Sequence, residues 1–364
     1  MTSLHIDTAR TWRGGQNQAL LLLKGLYERG HAAELLAAEG SALGARAHAA
    51  RICVHSVSRG MARLPAAKKI HELMRDGRID LVHTNESHAL TAAWLAGAHK
   101  RAPLLFSRRV GYPLGKSLLA RARFQAVARI VANSNWVAEQ AVASGANEKE
   151  LVVVYEGVEI PAAISETERK AARAVWKIAE DEQLVGCVGV LSLDKGHEFV
   201  IRAMADVRKK FGRCKLLLAG DGPSSQELQT LAEQLGVRDA MIFAGFVKKI
   251  SDVYRALDGF IFPSLFEGLG TSLLAAMANG VPSVTFFGCA LGEIVENGTT
   301  GIQVEARNSS QIAEAIVRIL SDPDFAAKLG EAGRQSIAAR FSADKMVEET
   351  LKVYREVLGE AKRG

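Results

Sequence analysis

The stretch Pro263-Ser-Leu-Phe-Glu-Gly-Leu-Gly-Thr-Ser-Leu-Leu-Ala-Ala-Met277 follows a short apolar run, Gly259-Phe-Ile-Phe262. The apolar run has the length and composition of a buried strand, and the residues from Ser272 onward are strong helix formers. Between them a carboxylate, Glu267, precedes two glycines that let the backbone turn tightly and approach a ligand. A helix starting near Thr271 directs unpaired N–H groups and a partial positive charge back at that turn. Carboxylate and amides together suit a ligand that carries both hydroxyls and phosphates.

The same strand–turn–helix unit recurs on either side. Upstream, apolar strands are expected at 3–6, 33–38, 51–56, 80–84, 103–107, 129–133 and 151–155, with helical segments between them. Glu156-Gly-Val-Glu-Ile-Pro161 interrupts the pattern, and it restarts with strands at 184–189, 215–220, 240–244, 259–263, 282–286 and 301–304. Three helices, near 309–320, 323–337 and 343–360, close the chain. Such alternation predicts α/β architecture with parallel sheets covered on both faces. Two runs of it predict two Rossmann-like lobes with a ligand cleft between them, at the carboxyl ends of the strands. The expected divisions are 1–162, 163–341 and a last segment, 342–364, that packs back on the first lobe.

A chain of 364 residues is comfortable for two domains, and 48% hydrophobic with 24% charged residues is ordinary for a globular protein. No apolar run is long enough for a transmembrane helix, and the N-terminus lacks the pattern of an export signal. A cytoplasmic location follows as an expectation. Cys53, Cys187, Cys214 and Cys289 are scattered without a C-x-x-C pair, which favours free buried thiols over a zinc site. The net charge of +6 is uneven: residues 1–160 hold 21 Lys and Arg against 13 Asp and Glu. Between Glu86 and Glu139 there is no acidic residue, whereas Lys100, Arg101, Arg108, Arg109, Lys116, Arg121, Arg123 and Arg129 all lie there. This is either a solvated basic face or a surface for an anionic acceptor or an anionic membrane leaflet. Nucleic acid is not expected, because no interleaved aromatics accompany the charge.

Several smaller features are weighed on their chemistry. Gly220-Asp-Gly-Pro223 lacks the third glycine of a dinucleotide fingerprint and lies in the second lobe, so a nicotinamide dehydrogenase is disfavoured. Asp322-Pro-Asp324 fits an N-cap followed by a first-turn proline better than a metal clamp. Trp12-Arg-Gly-Gly-Gln16 places a glycine pair in a loop directly before a helix, where phosphates are commonly approached. His83, Asn85 and His88 stand at the end of an expected strand and are candidates to line a cleft. Lys195, in Val188-Gly-Val-Leu-Ser-Leu-Asp-Lys-Gly196, follows the first strand of the second lobe, where its charge would meet a diphosphate.

Seven segments stand in a shared order: Trp12 to Gln16, Val153 to Glu159, Leu191 to Gly196, Leu218 to Pro223, Phe243 to Phe246, Pro263 to Gly270 and Glu293 to Gly301. In this order and spacing the chain resembles glycosyltransferase family 4, the group 1 enzymes of GT-B fold, over nearly its whole length. Gly14-Gly-Gln-Asn-Gln-Ala-Leu-Leu-Leu22 and Ser107-Arg-Arg-Val110 resemble the branches that build bacterial lipopolysaccharide and cell-surface glycans.

The resemblance implies a retaining, metal-independent and cofactor-free transfer of a sugar from a nucleotide diphosphate donor to a glycan or lipid-linked acceptor. Lys195 would hold the diphosphate and Glu267 the sugar hydroxyls, with the amides of Gly268, Leu269, Gly270 and Thr271 on sugar and phosphates. Gly15 would face the diphosphate from the first lobe, and Gly245, Phe246 and Val247 would meet the base. Arg109 stands where the family has a first-lobe histidine and joins Lys195 and Glu267 as a catalytic candidate. Arg108 and Arg109 would face the acceptor with His83, Asn85 and His88, and the basic lobe would rest on the inner face of the plasma membrane. Three further positions depart from the family: Ala275 replaces the second glutamate of the Glu-x7-Glu signature, Val190 an arginine, and Cys289-Ala290 a glycine pair. These departures keep two alternatives open: an inactive or weakly active GT-B protein that binds a nucleotide or glycan through a partner, and a sugar-nucleotide epimerase or hydrolase.

Overall fold

The structure is a computed structural model that describes residues 1–58, 63–115 and 117–361; Lys116 of the basic interval and the last three residues lie outside it. The chain forms two compact units, one of residues 1–157 with the segment from Ala343, the other of Val158–Ser342. The first division falls a few residues before position 162.

The first unit holds strands β1 (Thr2–Asp7), β2 (Ala32–Ala38), β3 (Cys53–Val57), β4 (Leu81–Thr84), β5 (Leu104–Arg108), β6 (Arg129–Ala132) and β7 (Leu151–Val153). They form one parallel sheet in the order β3-β2-β1-β4-β5-β6-β7. Side chains alternate across the sheet, so Leu4 and Ile6 enter the core beneath the helices Arg63–Leu73 and Ser87–Leu95. On the other face the helix Gly14–Glu28 and the last helix, Ala343–Ala361, cover the sheet. These two helices lie so close at Gly25 that a β-carbon there would stand 2.5 Å from Val347 Cγ2. Leu22, Leu23, Leu26, Leu351, Tyr354 and Val357 fill this second core.

The second unit repeats the plan with β8 (Leu184–Val188), β9 (Lys215–Ala219), β10 (Met241–Gly245), β11 (Gly259–Phe262), β12 (Ser283–Phe286) and β13 (Ile302–Val304). Its parallel sheet runs β10-β9-β8-β11-β12-β13. In both sheets the order reverses beside the first strand, at β1/β4 and at β8/β11. Doubly wound sheets bind ligands at the carboxyl ends of the strands flanking such a reversal.

Two local expectations change. Gly14 and Gly15 form the first turn of the helix Gly14–Glu28, where a loop was expected, and Gln16 Oε1 accepts from Arg13 N at 3.2 Å to fix that start. Cys187 and Cys214 are buried thiols, but Cys53 is exposed because β3 is the outer strand of its sheet. Asp322 caps the helix Pro323–Arg340 by accepting from Phe325 N at 2.9 Å.

Candidate functional site

In the second unit the carboxyl ends of β8 and β11 carry the two side chains that the sequence singled out. The chain leaves β8 through a short 3-10 turn, Leu193–Lys195, and closes it at Gly196. Gly196 has φ +64°, and a β-carbon on it would stand 2.2 Å from the carbonyl oxygen of Pro263. Only glycine fits this contact, which presses the turn against the segment that follows β11. Leu265 N donates to Asp194 O at 2.8 Å across the same contact.

The result is that Lys195 and Glu267, 72 residues apart in sequence, meet with Nζ to Oε2 at 2.6 Å. Ser264 Oγ stands 3.5 Å from the ammonium and 3.4 Å from the same carboxylate oxygen. The two side chains remain 23% and 20% exposed, so the pair is reachable from solvent. Such a pair offers a cation to an anionic group and a carboxylate to hydroxyl donors. Beyond it Gly268 and Leu269 lead through Gly270 into the helix Thr271–Ala278, whose own hydrogen bonds begin with Leu273 N to Gly270 O at 2.9 Å, after the amides of Thr271 and Ser272. Thr271 and Ala275 share a face of that helix, one turn apart. A carboxylate at 275 would therefore stand above Thr271, where the chain has only a methyl group.

His197 was not singled out by the sequence. It is the first residue of the helix His197–Lys210, is buried, and its Nδ1 has no partner among the described residues. Burial, and then the charge of Lys195, push its pKa down to about 4, so a neutral imidazole supports the turn. Gly245 ends the outer strand β10, and Phe246 and Val247 follow it, with Phe246 65% exposed.

In the first unit, Asp7 ends β1 and Asn85 and Glu86 follow β4. Arg109 follows β5 and binds Glu156 Oε1 through Nε at 2.7 Å and the Asn85 carbonyl through Nη1 at 2.7 Å. Its Nη2 reaches Asn85 Oδ1 at 3.3 Å, and a β-carbon on Gly15 would touch its Cδ at 3.6 Å. Arg109, Asn85 and Gly15 are thus one cluster, and the arginine is held on three sides.

Asp7 and Glu86 belong to the same reversal point and were missed. Asp7 accepts from Ala9 N at 3.0 Å and from Gln16 Nε2 at 3.1 Å. Burial outweighs these bonds and pushes its carboxyl up to about 6. Glu86 accepts from Thr8 Oγ1 at 2.7 Å and caps the helix Ser87–Leu95 through Ala89 N at 2.8 Å. The available signal was a carboxylate at the end of the first strand, a position the sheet order makes important.

His83 does not line an opening. It is 1% exposed, with Nδ1 at 2.5 Å from Tyr354 Oη and Nε2 at 2.8 Å from Ser107 Oγ. Its pKa lies well below the ordinary value through burial, and then through His5 and Arg109, so it is a neutral core residue. It sits inside β4 because that strand extends to Thr84, leaving Asn85 as the first residue beyond the end. Arg108 is likewise buried, holding the Tyr112 carbonyl, and His88 is exposed with Nδ1 2.9 Å from Arg63 Nη2.

Two parallel sheets of Rossmann order, each with polar residues gathered at its reversal point, define a protein of two nucleotide-binding-type units. Residues 12–160 match the family described as Glycosyltransferase Family 4, and residues 168–336 match Glycosyl transferases group 1. The chain belongs to this glycosyltransferase group and has the GT-B fold. It is 32% identical over 213 residues to an uncharacterized glycosyltransferase of Methanocaldococcus jannaschii, covering 57% of this chain and 54% of that protein. It is 31% identical over 296 residues to the D-inositol 3-phosphate glycosyltransferase of Nocardia farcinica, covering 78% and 62%. The chain thus spans about half the length of most of the curated relatives it matches. The crystal structure of Anabaena Alr3699/HepE in complex with UDP and glucose is similar with a TM-score of 0.85 at 20% identity, covering 97% of this chain and 99% of that one. No helix among the described residues is long and apolar enough to cross a membrane.

Proposed function

We propose that the chain is a retaining glycosyltransferase that moves a sugar from a nucleotide diphosphate donor, without a metal ion, to a glycan or a lipid-linked acceptor of the lipopolysaccharide type. The observation that carries this reading is the solvent-reachable Lys195–Glu267 pair at the β8/β11 reversal point, in a chain of this family. Lys195 meets the diphosphate and stabilises it as it departs, and Glu267 receives the sugar hydroxyls. One well-placed cation or donor of this kind is worth roughly 3–4 kcal/mol of barrier, about 10²–10³ in rate. The amides from Gly268 to Thr271 complete the cradle, and the exposed Phe246 offers a flat apolar surface to the base. Arg109, with its guanidinium fixed by Glu156 and Asn85, faces the acceptor side of the reaction. Lys100, Arg101 and Arg121, exposed basic residues of the interval 100–129, draw the protein to an anionic leaflet from the cytoplasmic side.

Ala275 favours a second reading, a protein that binds a nucleotide or glycan with little or no turnover, because the ribose loses a carboxylate partner. Incubation with a panel of nucleotide sugars and a lipid-acceptor extract separates the two. The first reading expects sugar incorporation that Glu267→Ala abolishes and Lys195→Met lowers by about 10²–10³. Nucleotide binding without turnover under all donors overturns it in favour of the second.

A further inference from the structure

The outer edge of the first sheet carries a group of side chains that the transfer reaction does not use. Strands β2 and β3 are parallel, with Glu34 opposite Cys53 and Leu36 opposite His55. Residues two apart on a strand share a face, so Cys53 and His55 point to the side on which Glu34 stands. Cys53 Sγ lies 3.7 Å from His55 Nε2, and His55 Nε2 lies 2.7 Å from Glu34 Oε2. One donor atom from each of the three side chains lies within 4.8 Å of the other two.

We propose that Glu34, Cys53 and His55 form a binding site for a single borderline-soft divalent cation, with zinc the best match. Thiolate, imidazole and carboxylate are the three zinc ligand types, and a three-ligand site leaves a fourth position for water. Tetrahedral bonds of about 2.3 Å to sulfur and about 2.0–2.1 Å to nitrogen or oxygen set neighbouring ligand atoms roughly 3.3–3.7 Å apart. The sulfur–nitrogen separation already fits. The nitrogen–oxygen separation has to open by roughly 0.6 Å, a small side-chain rotation.

Arg78 supplies the outer support. It binds Glu34 Oε1 through Nη1 and Oε2 through Nη2 at 3.0 Å, and its Nε holds Asp76 at 3.1 Å. When Oε2 turns to the cation, Oε1 stays on Arg78 and the carboxylate keeps its orientation, as metal-bound carboxylates commonly do. The charges also close: Glu34, Asp76 and a Cys53 thiolate balance Arg78 and one dication, with His55 neutral. The thiol proton passes to solvent when the metal–sulfur bond forms, so binding releases a proton. β3 is the outer strand and Cys53 is exposed, so the cation reaches the site without opening the fold. Once bound, it clamps that outer strand to its neighbour.

The test uses the full chain stripped of metal. Zinc is titrated in competition with a chromogenic chelator, and cobalt is added separately to read thiolate coordination by absorption. The expected result is one equivalent bound, a thiolate-to-cobalt charge-transfer band, and a raised unfolding temperature with zinc. Cys53→Ser should remove the band and weaken zinc about 100-fold, and His55→Gln should weaken it at least tenfold. Cys289→Ser, which alters the half-buried thiol of the other unit, should change nothing. Absence of stoichiometric binding, or zinc affinity unchanged in the Cys53 variant, overturns the proposal. Nucleotide binding by the Cys53 and His55 variants is expected to match the unaltered protein, which keeps this test separate from that of the transfer reaction.

Discussion

Replacing Gly196 by alanine tests whether the backbone contact beneath Lys195 builds the site. Two costs add. An alanine at φ +64° occupies the left-handed region, at roughly 1–2 kcal/mol. Its β-carbon would also stand 2.2 Å from Pro263 O, so the turn has to retreat by roughly 1 Å. Retreat stretches the Leu265 N to Asp194 O bond and the Lys195 to Glu267 pair, and one lost hydrogen bond is worth about 1 kcal/mol. The sum is roughly 3–4 kcal/mol. For a unit the size of Val158–Ser342, this lowers the unfolding temperature by roughly 6–15 °C. Gly236 is the control, since it has φ +66° and a β-carbon on it would meet nothing within 4 Å. Gly236→Ala therefore carries only the conformational cost, roughly 1–2 kcal/mol. Scanning calorimetry of both variants separates clash from conformation, and nucleoside diphosphate titration should show weakened binding only for Gly196→Ala. Equal shifts in the two variants, with nucleotide affinity retained in both, would refute the reasoning.

Asp7 gives the fold a pH dependence. Its folded-state pKa of about 6 lies above the ordinary 3.8, so the folded protein holds the proton more tightly than the unfolded chain. Stability from this group is greatest below about pH 4 and falls by up to roughly 3 kcal/mol as pH rises through 6. Urea unfolding of the unaltered protein and Asp7→Asn should diverge across that interval; parallel curves would remove the assignment. Arg109→Ala takes the guanidinium from a pair that is 18% and 10% exposed, and should destabilise the first unit by roughly 2–4 kcal/mol in thermal unfolding. Arg109→Lys should recover little, because a lysine has no fork to reach Glu156 and Asn85 together. Ala275→Glu should tighten nucleotide binding by about tenfold in calorimetric titration if the ribose contact is merely missing. Unchanged affinity would show that another side chain already serves the ribose.

The sheets were legible because each strand is an apolar run bounded by turn residues, as in Gly259–Phe262 and Leu184–Val188. Lys195 and Glu267 were legible as types, yet only the close approach at Gly196 brings them to 2.6 Å. His83 misled because strand ends look alike in sequence whether the last residues face a core or an opening. What decides its place is Tyr354, 271 positions away, and nothing local announces that partner. Glu34, Cys53 and His55 were invisible for a related reason, since their convergence depends on the register of two parallel strands joined through a helix. Asp7 could have been read, had the end of the first strand been given the weight that a 3-2-1-4 strand order confers.

The return of the helix Ala343–Ala361 to the first unit also orders events during synthesis. Residues 158–342 form one uninterrupted stretch and can complete their core as they leave the ribosome. The earlier-made stretch waits for Ala343–Ala361, with Leu22, Leu23, Leu26 and His83 lacking the surface that Leu351, Tyr354 and Val357 later provide. A nascent chain stalled before Ala343 should therefore display an apolar strip on an otherwise assembled sheet, the kind of surface that holding chaperones recognise.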